Sequence, residues 1–178
     1  MGGCLERVQP CANCGKAAGV ITVEAYFMGR DLTHSEELTD EIMDNARLTV
    51  ERVNDFLQRA GRSDVSEVRS GWRPQGINDA TANAASHSKH ITGQAVDLAD
   101  VDRTLAGWSV DNLDDLRELG LWMESPQYTP SWLHLQTVPP KSGKIRTVPL
   151  FGDGIVAAKE WLYALPTYAT DNPHRLVF

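Results

Sequence analysis

Ser88-Lys89-His90-Ile91-Thr92-Gly93-Gln94-Ala95-Val96-Asp97 carries the densest chemistry in the chain. A histidine and an aspartate bracket a glycine, and beyond the glycine the residues alternate in polarity. Gly93 punctuates the entry to a strand predicted over Gln94–Ala99. On that strand Asp97 points to one side, and a turn at Gly93 folds His90 back towards it. An imidazole and a carboxylate then converge. Both suit zinc, which takes nitrogen and oxygen donors at about 2.0–2.2 Å.

A catalytic zinc site uses three protein ligands and keeps one position open, so a third donor must come from elsewhere. Trp132-Leu133-His134-Leu135-Gln136 offers it. On a strand, Trp132, His134 and Gln136 share one face, and Leu133 and Leu135 share the other. The leucines suit a core, which leaves His134 facing a polar cleft. His34 adjoins a helix start, His87 precedes His90 in a loop region, and His174 lies in the tail. The competing reading of His90, Asp97 and His134 is a set of side chains held by ordinary hydrogen bonds.

Moving outward, Ser35–Ala60 reads as one amphipathic helix. Ser35 is its N-cap, Glu36 and Glu37 favour its first turn, and Leu38, Ile42, Ala46, Val53 and Leu57 form its apolar face. Gly61 stops it. Thr22–Met28 reads as a strand or a segment packing on the core. Val65–Trp72 reads as a strand, and Ile77–His87 as a short helix or ordered loop. Ser109–Leu119 reads as a second amphipathic helix, with Leu121–Met123 and Trp132–Val138 as further strands. Ile155–Ala164 reads as a final helix before a tail from Pro166. Helices mixed with short strands, without strict alternation, indicate an α+β domain.

The length of 178 residues suits one domain with small appendages. With 42% apolar and 23% charged residues the chain has ordinary globular composition. A net charge of −7 argues against a broad nucleic-acid surface, and no apolar run is long enough for a membrane span. Cys4, Cys11 and Cys14 are an odd set confined to the start, so they form no disulfide framework. Cys11-Ala12-Asn13-Cys14 looks like half a zinc knuckle, but no second paired turn follows. The expected organisation is a Cys-containing leader over 1–20, a main domain over 21–150, and a helix and tail over 151–178. No secretory signal is recognisable, so synthesis and initial retention in a cytoplasm are expected.

Ser88, His90, Gly93, Ala95 and Asp97 reproduce the pattern S-x-H-x-x-G-x-A-x-D. That pattern resembles the signature of the zinc D-Ala-D-Ala carboxypeptidase and L-alanyl-D-glutamate endopeptidase family, which includes vancomycin-resistance-type enzymes and phage endolysins. Ser70-Gly71-Trp72-Arg73 resembles the family's S-G-Y-R segment, and Trp132-Leu133-His134 resembles the segment that supplies its last zinc histidine. The likeness covers roughly residues 35 to 140.

The resemblance implies a small antiparallel sheet flanked by helices, of the hedgehog/DD-peptidase type. It implies Zn2+ held by His90, Asp97 and His134, and a peptidoglycan stem peptide as substrate. Family members carry an acid a few positions before the last zinc histidine, where this chain has Ser131 and Trp132. Glu124 is the nearest acid upstream, and a strand, loop and return strand bring it beside His134, so it is the candidate general base. Arg73 is expected to hold a substrate carboxylate or a developing oxyanion. Ser88 and Gln136 are expected to support the ligands. The implied role is peptidoglycan hydrolysis by a phage or prophage protein, acting on the wall after release or within a virion. The alternative is a non-catalytic zinc module of the same fold, used for binding or structure. Oligomeric state is not encoded in any motif.

Overall fold

The computed structural model describes residues 21–62 and 67–139. The expected leader, the start of the Val65–Trp72 strand, the Ile155–Ala164 helix and the tail all lie outside the described residues. Four antiparallel strands form one sheet, β1 (Val68–Ser70), β2 (Ala95–Ala99), β3 (Trp122–Met123) and β4 (Trp132–Gln136), in the order β1-β2-β4-β3. Six helices accompany it: α1 (Val23–Phe27), α2 (Arg30–Thr33), α3 (Asp40–Arg59), α4 (Gln75–Ala80), α5 (Thr104–Asp111) and α6 (Leu113–Glu118). The α+β class expected from the sequence is the class observed.

Strand alternation sorts the sheet into two faces. Val96, Leu98, Leu133, Leu135 and Met123 turn inward and are all essentially inaccessible. They pack with Val50, Val53, Phe56 and Leu57 of α3 into one apolar cluster. Each fully buried leucine contributes about 1.5–3 kcal/mol of transfer free energy.

The long helix starts later than Ser35. Thr39 is its N-cap, and its hydroxyl accepts from the Ile42 amide at 3.2 Å. Two capping sequences compete here, Ser35-Glu36-Glu37 and Thr39-Asp40-Glu41. A tertiary contact occupies the first, because the Glu37 carboxylate accepts from the Gln75 amide at 2.9 Å.

The predicted helix Ser109–Leu119 is two helices. Asn112 leaves helical geometry (φ −125°, ψ 51°) and its side chain donates to the Trp108 carbonyl at 2.8 Å. α5 also begins earlier than expected. The buried Asp100 carboxylate accepts from the Leu105 and Ala106 amides, both at 2.9 Å, and so supplies the start that a local cap residue does not.

Of the two readings of Thr22–Met28, the strand is not found and the segment that packs on the core is; it does so as the short helix α1, capped by the Thr22 hydroxyl on the Ala25 amide at 3.1 Å. Five residues are too few for helical periodicity to declare itself. α1 buries Tyr26 and Phe27 completely, and the Tyr26 hydroxyl donates to the Ala95 carbonyl of β2 at 2.9 Å. Its backbone lies directly on Gly71: a Cβ there would fall 1.8 Å from the Tyr26 carbonyl oxygen.

Candidate metal centre

Strand register assembles the site. Ser70 of β1 lies opposite Asp97 of β2, and Asp97 lies opposite His134 of β4. On the far side the Glu124 amide donates to the His134 carbonyl at 3.1 Å, continuing the β3–β4 ladder by one residue. Directly opposed residues point to the same face. Ser70, Asp97, His134 and Glu124 therefore form a row across the whole sheet, on the face away from the apolar core.

His90 joins this row from the loop between α4 and β2. Gly93 makes the turn in left-handed geometry (φ 73°), and a Cβ there would lie 2.7 Å from the Ile42 carbonyl oxygen of α3. Asn45 and Thr49 of α3 donate to the Thr92 and Gly93 carbonyls at 3.0 and 2.9 Å. The glycine of the motif is thus required by both its φ and the close approach of α3.

Three donor atoms meet at Asp97. His134 Nδ1 lies 2.8 Å, and His90 Nε2 3.3 Å, from Asp97 Oδ1. His90, Asp97 and His134 offer donor atoms that all fall within 4.8 Å of one another, and they are the one His/Cys/Asp/Glu group of this kind among the described residues. The outward nitrogen of each imidazole is engaged. His90 Nδ1 sits 2.8 Å from the Gly71 carbonyl oxygen, which only accepts, so Nδ1 carries a proton and Nε2 presents a lone pair. His134 Nε2 lies 3.4 Å from Gln136 Oε1, while the Gln136 amide NH2 donates to the Val138 carbonyl at 2.6 Å. That second bond sets the amide so that its oxygen faces His134, leaving His134 Nδ1 to present its lone pair inward.

A metal ion among these atoms would be held by all three; without one, a proton on His134 Nδ1 donated to Asp97 Oδ1 at 2.8 Å holds the pair together. The residues present fit a metal ion. The 3.3 Å between His90 Nε2 and Asp97 Oδ1 matches the separation of two ligands on tetrahedral zinc, about 3.3–3.4 Å for bonds near 2.05 Å, whereas the 2.8 Å between His134 Nδ1 and Asp97 Oδ1 is a hydrogen-bond distance that would have to open on ligation. Electrostatics favour a neutral His90 and an ionised Asp97, and shift His134 towards its protonated form. Burial pushes the His90 imidazole towards its neutral form, outweighing the pull of Asp97. Burial alone would raise the Asp97 carboxyl, but the two histidines override it and hold it well below the usual carboxylate range. His134 resists its own burial through Asp97, with Glu124 adding to the upward shift.

Arg73 completes the surroundings. It is buried, its amide donates to the His90 carbonyl at 3.0 Å, and Nη2 lies 3.6 Å from Asp97 Oδ2. Nη2 also donates to Ser70 Oγ at 3.1 Å, and Nη1 to Asn78 Oδ1 at 3.4 Å. Burial works against its charge and Asp97 sustains it. Asp97 thus turns one oxygen to the histidines and the other to the guanidinium.

All the expected site residues fall in or next to this region. Gln136 touches His134 as expected. Ser88 instead accepts from the His90 amide at 3.4 Å, and so braces the loop rather than a ligand side chain. Trp72 belongs to the core, edge-on to Phe27 with 5.7 Å between ring centroids, whereas Trp132 shares the face of His134. His34 bonds the neighbouring Thr33 and His87 is exposed, so neither joins the centre. Sequence reasoning passed over the Gly71 carbonyl, the Ser70 hydroxyl and Asn78. Only Ser70 had a usable signal, its place in the strand preceding Arg73.

Comparison with protein-family models finds no match, and comparisons with curated proteins and with solved structures likewise find none.

Proposed function

We propose that the chain is a zinc-dependent metallopeptidase that hydrolyses peptide bonds in peptidoglycan stem peptides, of the D-Ala-D-Ala carboxypeptidase or L-Ala-D-Glu endopeptidase type. The observation that carries this reading is the convergence of His90 Nε2, Asp97 Oδ1 and His134 Nδ1, with a carboxylate, Glu124, on the same row. The motif resemblance of residues 70–73, 88–97 and 132–134 supplies the substrate class. A phage or prophage protein, reaching the wall after release or in a virion, is the origin that accords with it.

In this reading His90, Asp97 and His134 hold the zinc. When bound, zinc supplies Lewis acidity, which acidifies water and polarises a carbonyl. Glu124 accepts a proton from the attacking water and delivers it to the leaving amine. Gln136 and the Gly71 carbonyl keep the two imidazoles in the tautomers that ligation requires. Arg73, positioned by Ser70 and Asn78, offers a planar cation to a substrate carboxylate or a developing oxyanion.

The test is to incubate zinc-loaded protein with purified peptidoglycan, with and without chelator, and to identify released ends by mass spectrometry. Chelator-sensitive release is expected, and the new ends name the bond cut. No release from protein that retains one zinc per chain would overturn the peptidase reading in favour of a non-catalytic zinc module.

A further inference from the structure

Glu124 stands at the weak end of the row. β3 is two residues long, and the Glu124 amide makes the last bond of its ladder, to the His134 carbonyl at 3.1 Å. Beyond it the chain leaves the sheet through Ser125–Ser131 and returns at Trp132. Ladder ends open before their centres. The place of Glu124 beside His134 therefore depends on what holds that loop.

Bonds within the loop are local. The Tyr128 amide donates to the Ser125 carbonyl at 2.9 Å, and the Thr129 amide to the Pro126 carbonyl at 3.4 Å. They shape a turn without tying it to the domain. Two ties come from the turn between β2 and α5. The Asp100 amide donates to the Ser131 carbonyl at 3.0 Å, and Arg103 Nη1 donates to the Thr129 carbonyl. An exposed third tie, Arg69 Nη1 to Ser131 Oγ at 3.4 Å, is longer. Thr129 is buried, and its hydroxyl has no hydrogen-bond partner among the described residues. Within that same set, the Arg103 guanidinium is the one polar group from outside the loop that reaches Thr129.

Arg103 stands where the backbone favours another residue. Its geometry is left-handed (φ 65°), which glycine adopts freely and arginine only against strain. The Asp100 carbonyl accepts from its amide at 3.3 Å, and its own carbonyl accepts from the Gly107 amide at 2.9 Å. The side chain is buried; burial works against its charge and Asp100 sustains it. Strain and a buried charge both weigh against arginine here, and the grip on Thr129 is what its side chain supplies in return.

We propose that Arg103 is a positioning residue: by gripping the Thr129 carbonyl it holds the β3–β4 loop, and through that loop keeps Glu124 in the row with His134. This rests on the peptidase reading above and deepens it. The base is then placed by the β2–α5 turn as well as by the sheet.

The test uses the zinc-loaded full chain and its Arg103→Gly and Arg103→Lys variants. Glycine suits the left-handed backbone, so Arg103→Gly removes the guanidinium while relieving strain. The probe is a soluble stem pentapeptide ending in D-Ala-D-Ala, which contains both candidate bonds. Arg103→Gly is expected to lower kcat by about 10- to 100-fold at full zinc content, with KM nearly unchanged. Arg103→Lys is expected to recover part of that loss. In a Glu124→Gln background the Arg103→Gly change should add little, because residues that act through one another are not additive. An equal fall in both backgrounds would overturn the proposal. Amide hydrogen exchange followed by NMR gives a readout without activity. Arg103→Gly is expected to speed exchange at the Glu124, Tyr128 and Thr129 amides by about 10-fold, the value of one anchoring hydrogen bond, while the α3 amides keep their protection. Unchanged loop amides, or an even rise across the domain, would overturn it. Should Arg103→Gly fail to fold, Arg103→Lys decides by the same readouts. If wild type hydrolyses nothing, the peptidase reading falls, and exchange still decides whether Arg103 holds Glu124 in place.

Discussion

The two faces of the same four-stranded sheet are built to opposite rules. On the inner face Val96, Leu98, Leu133, Leu135 and Met123 exclude water almost entirely and need no directional partners. On the outer face Ser70, Asp97, His134 and Glu124 stand in register and derive their arrangement from hydrogen bonds and charge. The inner face gains by burial. The outer face bears a burial cost, since Asp97 and His134 keep only 14% and 15% of their side-chain surface exposed and each partners the other there. One alternating pattern thus encodes a stability layer and a chemistry layer a few ångströms apart.

The sharpest way to break the comparison is to remove a donor from the outer face. His90→Ala should abolish zinc binding, weakening it by more than about 100-fold, because loss of outer partners alone costs about 10- to 100-fold. Metal analysis after gel filtration checks this, together with loss of the zinc-dependent rise in melting temperature. Full zinc retention would remove His90 from the ligand set. Next comes Glu124→Gln, which should keep the metal and lower hydrolysis by about 100- to 10,000-fold. Unchanged turnover at full zinc content would take away its role as base.

An inner-face change should have the opposite signature. Leu133→Ala should lower unfolding free energy by about 2–5 kcal/mol in denaturant titrations, while the folded fraction still binds zinc. Selective loss of zinc with unchanged stability would contradict the division between the faces.

Gln136 sits between these extremes. Gln136→Ala should weaken zinc binding by about 10- to 100-fold and leave stability close to wild type, because it frees the His134 ring to turn or change tautomer. Competition with a calibrated chelator reads the difference.

The smallest effect belongs to the end of β2, where Asp100 joins the sheet to α5. Burial raises its carboxyl to about 6, against the two helix amides that hold it down. A folded pKa above the unfolded value means that the proton favours the folded state. Asp100 therefore contributes most below about pH 4, and that contribution is lost as pH rises through about 6. Between pH 4 and 7 wild type should lose on the order of 1–3 kcal/mol relative to Asp100→Asn, measured by denaturant titration at each pH. A pH-independent difference between the two would show that Asp100 is not the titrating group.

The local readings succeeded where one short pattern met one physical rule. Trp132–Gln136 alternates so plainly that its buried leucines and outward histidine could be assigned from the residues alone. Gly93 likewise announced a turn, although the close approach of α3 that forbids a side chain there is a tertiary fact. The readings failed where two local signals competed or none existed. Ser35 and Thr39 both offer caps, and the contact of Glu37 with Gln75 lies far outside any local window. α5 and α6 share a single apolar stripe across Asn112, so periodicity ran through the break. The short α1 had no periodicity to read.

By itself the sequence determined the α+β class, the inner and outer faces of β2 and β4, and the three residue types suited to a metal ion, because alternation and donor chemistry are properties of neighbouring residues. Only the tertiary structure decided that Asp97 lies opposite His134 and Ser70, that Glu124 continues the row, and that Arg73 reaches Asp97. Strand register and helix docking join residues dozens of positions apart, and no local pattern contains that information.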